Sequence, residues 1–147
     1  MLDQLHGTVC MKTEKSVLYH GENQVVDTAY EAILRGITAK DAVASVGFAF
    51  TGGTPVSAGL TTLPSVLARA STRDGTNKPQ LVRDSKGRRT AVTWTAVLTP
   101  AVAITYDMIG LSTESGLLVA ALSLAPVTLA PGESVAVQWT LNLLGAR

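Results

Sequence analysis

The end of the chain alternates strictly between apolar and other residues, and no other feature constrains the fold as much. Residues 135–143 read Val-Ala-Val-Gln-Trp-Thr-Leu-Asn-Leu, and the turn-forming sequence Ala-Pro-Gly-Glu precedes them at 130–133. Successive side chains of a β-strand point to opposite faces of a sheet, so a period of two predicts a strand with one buried face. We therefore expect a β-rich domain in which Trp139 belongs to the core.

Short apolar runs bounded by proline, glycine or polar residues predict further strands. They cover residues 8–11, 16–19, 42–50, 65–70, 80–83, 89–98, 103–109 and 117–124. The runs on either side of the turn at 84–87 predict a hairpin, with Trp94 on its inward face. Strands at such intervals, without βαβ alternation, predict a mainly β protein. We expect an antiparallel β-sandwich of jelly-roll type, as a single domain over residues 1–147.

One segment has helical periodicity instead. Thr28 and Glu31 have the spacing of a capping box, and Gly36 stands where a helix commonly stops. Apolar residues recur between them at the intervals of one helical face. We expect a short α-helix near residues 27–36, laid against the sandwich.

The chain carries little charge, which limits the partners that it can attract as a whole. It has 12 Lys and Arg against 11 Asp and Glu, and charged residues make up 16% of the sequence, compared with about 25% in soluble domains. The net charge of +1 gives no strong field toward nucleic acid or an anionic membrane. So little charge predicts surface that is buried against other subunits, and we expect a homo-oligomer or a larger assembly.

Two uncharged runs, residues 91–106 and 115–132, are too interrupted by proline to predict membrane-spanning helices. The first residues lack a basic start followed by an apolar stretch, so no secretory signal is predicted. We expect no contact with a membrane and synthesis in a cytoplasm.

The residues that could carry catalysis do not form a known pattern. The single cysteine, Cys10, and the histidines His6 and His20 give no zinc-ligand spacing. The chain also lacks a serine-hydrolase elbow, a phosphate-binding loop motif and a metalloprotease motif. His20 near Glu22 is the nearest approach to a catalytic pair. We predict no catalytic, cofactor-binding or metal-binding residue. A small hydrolase is kept as an alternative that ranks third, below a structural and a binding function.

Asp107 is unusual because it interrupts an apolar run, residues 104–111. A buried carboxylate needs a partner, so we expect Asp107 to form an ion pair or a subunit contact. Gly52 and Gly53 could suggest a phosphate-binding loop. No lysine follows them at the required spacing and no helix is predicted to start there, so a turn is the preferred interpretation.

Positive charge is concentrated in residues 69–89, which we call the basic segment. It holds seven basic residues against Asp74 and Asp84, a net charge of +5 in a chain whose total is +1. The segment has no aromatic residue to stack on a base, which disfavours nucleic acid. A solvated loop is the first interpretation, and docking onto an acidic protein is the second. The candidate partner-contact residues are Arg69, Arg73, Lys78, Arg83, Lys86, Arg88 and Arg89, together with Asp107 outside the segment.

Three parts of the sequence together resemble small virion structural proteins of tailed bacteriophages. They are the strand and helix pattern of residues 17–37, the Ala-Gly-Leu-Thr-Thr-Leu sequence at 58–63, and a final stretch that contains Ile109-Gly110-Leu111 and the turn and strand of residues 132–140. In this chain the acidic residue common just before Ile-Gly-Leu is displaced to Asp107. The basic segment lies outside the shared pattern.

The resemblance implies a non-enzymatic β-sandwich that assembles in multiple copies into a phage particle, as a capsid decoration, a neck or collar component, a tail component or a fibre attachment. The implied partners are further copies and other virion proteins, and the implied location is the virion, after synthesis in the host cytoplasm. A receptor- or carbohydrate-binding module is the chief alternative, because antiparallel sandwiches carry many functions.

Overall fold

The computed structural model describes residues 6–25, 42–73, 79–83 and 89–142. Within them the chain forms nine strands: β1 (His6–Lys12), β2 (Val17–Val25), β3 (Val43–Ala49), β4 (Val66–Ser71), β5 (Gln80–Arg83), β6 (Arg89–Leu98), β7 (Ile104–Thr113), β8 (Leu118–Leu129) and β9 (Val135–Asn142). Their pairing is antiparallel, so the prediction of a mainly antiparallel β protein is confirmed. The helix predicted near residues 27–36 lies outside the described residues. In the part of the chain that is described, no helix has the length and apolar character needed to cross a membrane.

Three strands continue well past the ends that the sequence predicts. β2 reaches Val25 instead of ending at Tyr19. β7 continues to Thr113 instead of ending at Ile109, and β8 continues to Leu129 instead of ending at Leu124. Gly110 does not end β7, because a neighbouring side chain occupies the space above it, as described below. Pro126 lies where the pairing of β7 with β8 shifts register, and such an irregularity tolerates a residue without a backbone N–H.

The nine strands form one sheet in the order β4-β3-β7-β8-β2-β1-β9-β6-β5. β2 joins the two halves of this sheet, because most of it pairs with β1 while Gln24 and Val25 pair with β8. The sheet curls back on itself, and β4 at one edge comes close to β6 near the other. The result is a nearly closed, barrel-like sheet.

The core lies inside this curl. Alternate apolar residues of β9 are buried while Gln138 is exposed, as the sequence period predicts. Trp139 is fully buried, and so is most of Trp94, its register partner on β6. The prediction that both tryptophans belong to the core is confirmed. From the other half of the sheet, Phe48 and Tyr106 meet edge to face with ring centroids 5.0 Å apart.

Three connections meet at one end of the sheet, which we call the turn end: residues 13–16, 99–103 and 130–134. The N–H of Gly132 donates to the carbonyl of Pro100 at 2.8 Å, and residues 13–15 and 130–134 line a common groove. The Pro-Gly turn lies at 130–133, where the sequence predicts it. Gly132 has a φ of 79°, which the third position of a type II turn requires, and glycine reaches it without strain.

Candidate partner-contact site

Residues 50–65 form a long connection between β3 and β4, which we call the strap. Antiparallel neighbours such as these can be joined by about two to five residues, so a connection of 16 residues is long enough to do more than reverse the chain. The strap covers the outer face of the sheet. Its Leu63 packs with Ala49, Met108, Leu118 and Ala121. For this reason β7 is buried on both faces and does not show the alternation of β9.

Leu63 lies in a recess made by two glycines that are register partners, Gly47 and Gly110. A Cβ atom added to Gly47 would lie 2.7 Å from Leu63, and one added to Gly110 would lie 2.9 Å from Leu63 and 2.8 Å from Leu118. These separations are shorter than carbon atoms tolerate, so both positions need glycine for the leucine to fit. The N–H of Leu118 also donates to the carbonyl of Thr61 at 3.0 Å, which fixes this part of the strap.

Asp107 holds the beginning of the strap. Its side chain is only 2% exposed, and Oδ1 accepts the backbone N–H of Thr51 at 2.7 Å and the Thr51 hydroxyl at 3.1 Å. Oδ2 accepts the N–H of Gly53 at 2.9 Å. Gly52 and Gly53 have φ angles of 73° and 99°, the left-handed region that glycine adopts readily. The partner that burial of Asp107 requires is therefore a loop of the same chain, where the sequence predicts an ion pair or a subunit contact.

These hydrogen bonds also control the charge of Asp107. Burial raises the pKa of the carboxyl, but the N–H groups of Thr51 and Gly53, the Thr51 hydroxyl and the N–H of Gly52 lower it, and the net pKa lies below the ordinary value of 3.8. The side chain is thus a carboxylate at neutral pH. The sequence predicts a turn at Gly52-Gly53, and the turn binds an anion supplied by the chain itself.

Tyr106, next to Asp107 in β7, points into the core. Its hydroxyl donates to the sulfur of Met11 at 3.2 Å. Burial raises the pKa of the phenol to about 12, and the negative charge of Glu133 adds to the effect. The phenol therefore stays neutral at physiological pH and contributes to packing.

The fold brings part of the basic segment to the end of the sheet opposite the turn end, which we call the arginine end. Arg73 lies two residues after the end of β4, and Arg83 and Arg89 are register partners where β5 meets β6. Arg69 lies in the middle of β4, opposite Gly47 of β3, and so farther from the arginine end. The remaining predicted contact residues, Lys78, Lys86 and Arg88, lie outside the described residues.

Arg73 and Glu114 form an ion pair at the arginine end. Their side chains are 45% and 53% exposed, so the pair adds only about 0–1 kcal/mol of stability, and it positions the arginine more than it stabilises the fold. Arg69 lies on the outer face, with one guanidinium nitrogen 3.4 Å from the position of a Cβ on Gly47. It is exposed there beside the strap.

The groove at the turn end has a volume of about 380 Å³ and is lined by Thr13, Glu14, Lys15 and residues 130–134. Glu133 accepts the N–H of Ala130 through Oε1 at 3.0 Å, so this carboxylate stabilises its own turn. His20 is exposed, and its register partner is Cys10. Among the described residues no three His, Cys, Asp or Glu side chains come together in a way that could hold a metal ion.

Sequence reasoning missed the strap as a covering element, although two signals for it are present. An aspartate inside an apolar run requires a partner, and Gly52-Gly53 supplies backbone N–H groups that can turn toward an anion. The pairing of these two signals cannot be read from local periodicity, because the residues are more than 50 positions apart in the chain.

No protein-family model matches this chain, and comparisons with curated proteins and with solved structures find no match either.

Proposed function

We propose that this chain is a non-enzymatic structural protein of a tailed-bacteriophage particle, assembled in multiple copies as a capsid decoration, neck or tail component. The observation that carries the proposal is the gathering of arginines at one end of the sheet. Arg73, Arg83 and Arg89 reach this end from β4, β5 and β6. An acidic surface of a neighbouring virion protein is the partner that such an end would attract.

The spatial relation between separate parts of the sequence supports the resemblance to phage virion proteins. Leu63 ends one of the similar stretches, and Gly110 is the centre of another, Ile109-Gly110-Leu111. The two residues meet at the glycine recess. Two of the similar stretches thus belong to one structural unit, the strap and the strand that it covers.

A two-layer β-sandwich of jelly-roll type is the finer description of the fold that we propose. Its layers would be β2-β1-β9-β6-β5 and β4-β3-β7-β8. The change of partner at Gln24 and Val25, from β1 to β8, supports a corner between two layers. The approach of β4 to β6 supports the packing of one layer over the other.

Burial of the tryptophans favours the structural role over a carbohydrate-binding module. Such modules present aromatic rings to the solvent so that sugars can stack on them. Trp139 is fully buried and Trp94 nearly so, and both serve the core instead.

Purified phage particles from a host that carries the encoding genome would test the proposal directly. Quantitative mass spectrometry should detect the chain in the particle at a fixed, repeated copy number relative to the major capsid protein. Absence from particles that are otherwise complete would refute the virion role, whatever the chain does in isolation.

Removal of charge from the basic segment tests the contact. Exchange of Arg83, Lys86, Arg88 and Arg89 for Gln should lower incorporation into particles, and added salt should weaken the wild-type contact in the same direction. Arg35→Gln with Lys40→Gln removes positive charge outside the basic segment and serves as the control, which should leave incorporation unchanged. Equal incorporation of both variants would mean that the basic segment is only solvated.

A further inference from the structure

The large apolar side chains that the described residues expose are all on the half of the molecule nearer the turn end. Val17 begins β2, Val97 is the last residue but one of β6, and Val102 lies in the connection 99–103. Val17 is 62% exposed and Val102 70%. The other two, Phe50 and Leu67, lie where β3 ends and β4 begins, on the same half. Exposed apolar surface gathered on one side of a protein marks a contact.

Two of these valines belong to one row across the sheet. Val17 is paired with Lys12, Lys12 with Ala136, and Ala136 with Val97. A shallow groove of about 190 Å³ runs beside this row, and Val97, Ala136 and Lys12 contribute to its lining. The row therefore offers two valines and an alanine, with the aliphatic part of a lysine side chain between them.

Positive and negative charges at the turn end are equal in number, and this balance favours a second copy of the chain as the partner. The described charged residues there are Lys12, Lys15, Glu14 and Glu133. In a contact with two-fold symmetry, the same surface of both copies meets, and a residue of one copy contacts a different residue of the other. An equal number of lysines and glutamates therefore lets opposite charges pair across the contact. Two turn ends can approach without net repulsion.

The arginine end has the opposite property. Of the charged residues that the structure describes at this end, Arg73, Arg83 and Arg89 outnumber Glu114, so these groups would repel their counterparts on a second copy. A contact between the arginine end of one copy and the turn end of another would place guanidinium groups against valines and against the like charges of Lys12 and Lys15. A contact between two turn ends buries valine against valine and can pair every lysine with a glutamate, so it is the self-contact that these charges favour.

We propose that two copies of this chain associate through their turn ends, around a two-fold axis, with Val17, Val97 and Val102 in the contact. This inference rests on the proposed multi-copy role and adds the surface that joins the copies. The arginine ends of such a pair point away from each other. They stay free to bind acidic neighbours on two sides.

The association can be measured on the purified whole chain by sedimentation velocity over a wide concentration range. Wild type should shift from monomer to dimer at micromolar concentration. Val102→Glu combined with Val17→Glu places like charges opposite each other and should raise the dimer dissociation constant at least about tenfold, the effect of about 1.4 kcal/mol. Gln24→Glu adds one negative charge, where the double variant adds two, at an exposed position far from the turn end and should leave the dissociation constant unchanged. A wild-type chain that stays monomeric, or a control variant that weakens association as strongly, would overturn the inference.

Charge exchange tests the symmetry of the contact. Glu14→Lys and Lys15→Glu each unbalance the turn end, in exposed positions where folding is not at risk. Each variant alone should associate more weakly than wild type, and an equal mixture of the two should regain association. Failure of the mixture to associate would refute the two-fold contact. Detection of the chain in particles answers the separate question of the virion role, so the two failures can be told apart.

Discussion

Exchange of Asp107 for Asn tests the attachment of the strap, because the two side chains have nearly the same size and differ in charge and in one acceptor. The carbonyl oxygen of Asn can still accept from Thr51. The amide nitrogen would then face the N–H of Gly53, which is 2.9 Å from Oδ2 in the wild type. Two donors would meet where one bond existed. The strap should loosen although no cavity forms.

The magnitude follows from the bonds that change. Hydrogen bonds to a charged group contribute about 1.5–3 kcal/mol each and neutral ones about 0.5–1.5, while a buried donor left without a partner costs about 1–3 kcal/mol. With charge removed from the bonds to Thr51 and the donor of Gly53 unmatched, the free energy of unfolding should fall by about 2–5 kcal/mol. For a chain of this length the melting temperature should drop by roughly 5–15 °C.

Urea unfolding monitored by tryptophan fluorescence gives the free energy, since both tryptophans report on the core. Glu133→Gln is the matched control, because it makes the same chemical change in a carboxylate that accepts one N–H, from Ala130, in an exposed turn. Its cost should stay below about 1 kcal/mol. Hydrogen exchange at Thr51 and Gly53 should accelerate only in the Asp107 variant. If Asp107→Asn costs no more than Glu133→Gln, the strap is not held as described.

The pKa of Asp107 sets the pH range of this effect. Because its pKa in the folded protein is lower than the ordinary 3.8, the stabilisation is fully present above that pH and is lost as the pH falls through the lower folded value. The difference in stability between wild type and Asp107→Asn should therefore narrow below pH 3.8. A difference that stayed constant into strong acid would show that the carboxylate charge is not involved.

Two further exchanges test the packing. Gly110→Ala should lower the free energy of unfolding by about 1–3 kcal/mol, because the new methyl group would collide with Leu63. Gly59→Ala is the control, since no atom lies within 4 Å of its added Cβ, and it should change the urea midpoint little. Similar losses at the two positions would contradict the glycine recess. Tyr106→Phe should leave stability near neutral pH almost unchanged, since sulfur is a weak acceptor. Because the pKa of Tyr106 is raised from 10.0 to about 12, its contribution is full below pH 10.0 and lost as the pH rises through about 12. Alkaline unfolding curves of the variant that match wild type would refute this.

Strand positions were predictable because the pattern that defines them is local. β9 alternates strictly, and the Pro-Gly turn before it fixes where it begins. β7 shows the limit of this approach. The residues of β7 are buried on both faces, so the hydrophobic pattern does not show where the strand ends. Gly110 predicts an end of the strand from sequence alone, because the contact of Leu63 with this glycine is visible only in the structure.

The candidate contact residues were predictable as a charge concentration but not as a surface. Seven basic residues in the segment are visible in the sequence. Their division between the outer face, where Arg69 lies, and the arginine end, where Arg73 lies, depends on the register of β4. The apolar run around Asp107 predicts the burial of this residue, but the ion pair or subunit contact that the sequence predicts is replaced by backbone N–H groups of the strap. This partner depends on a contact distant in the chain, which no local pattern specifies.

The pairing of β1 with β9 has a consequence for biosynthesis. β1 pairs with β9 along its whole length, from His6 opposite Asn142 to Lys12 opposite Ala136. During synthesis β1 therefore emerges long before β9, the strand that covers its open edge. More than 120 residues must be added before β9 can pair with β1. Such distant pairing slows folding and leaves strand edges exposed to other chains in the meantime. Until β9 has left the ribosome, nascent chains of this protein should escape aggregation only at low concentration or when a chaperone binds them.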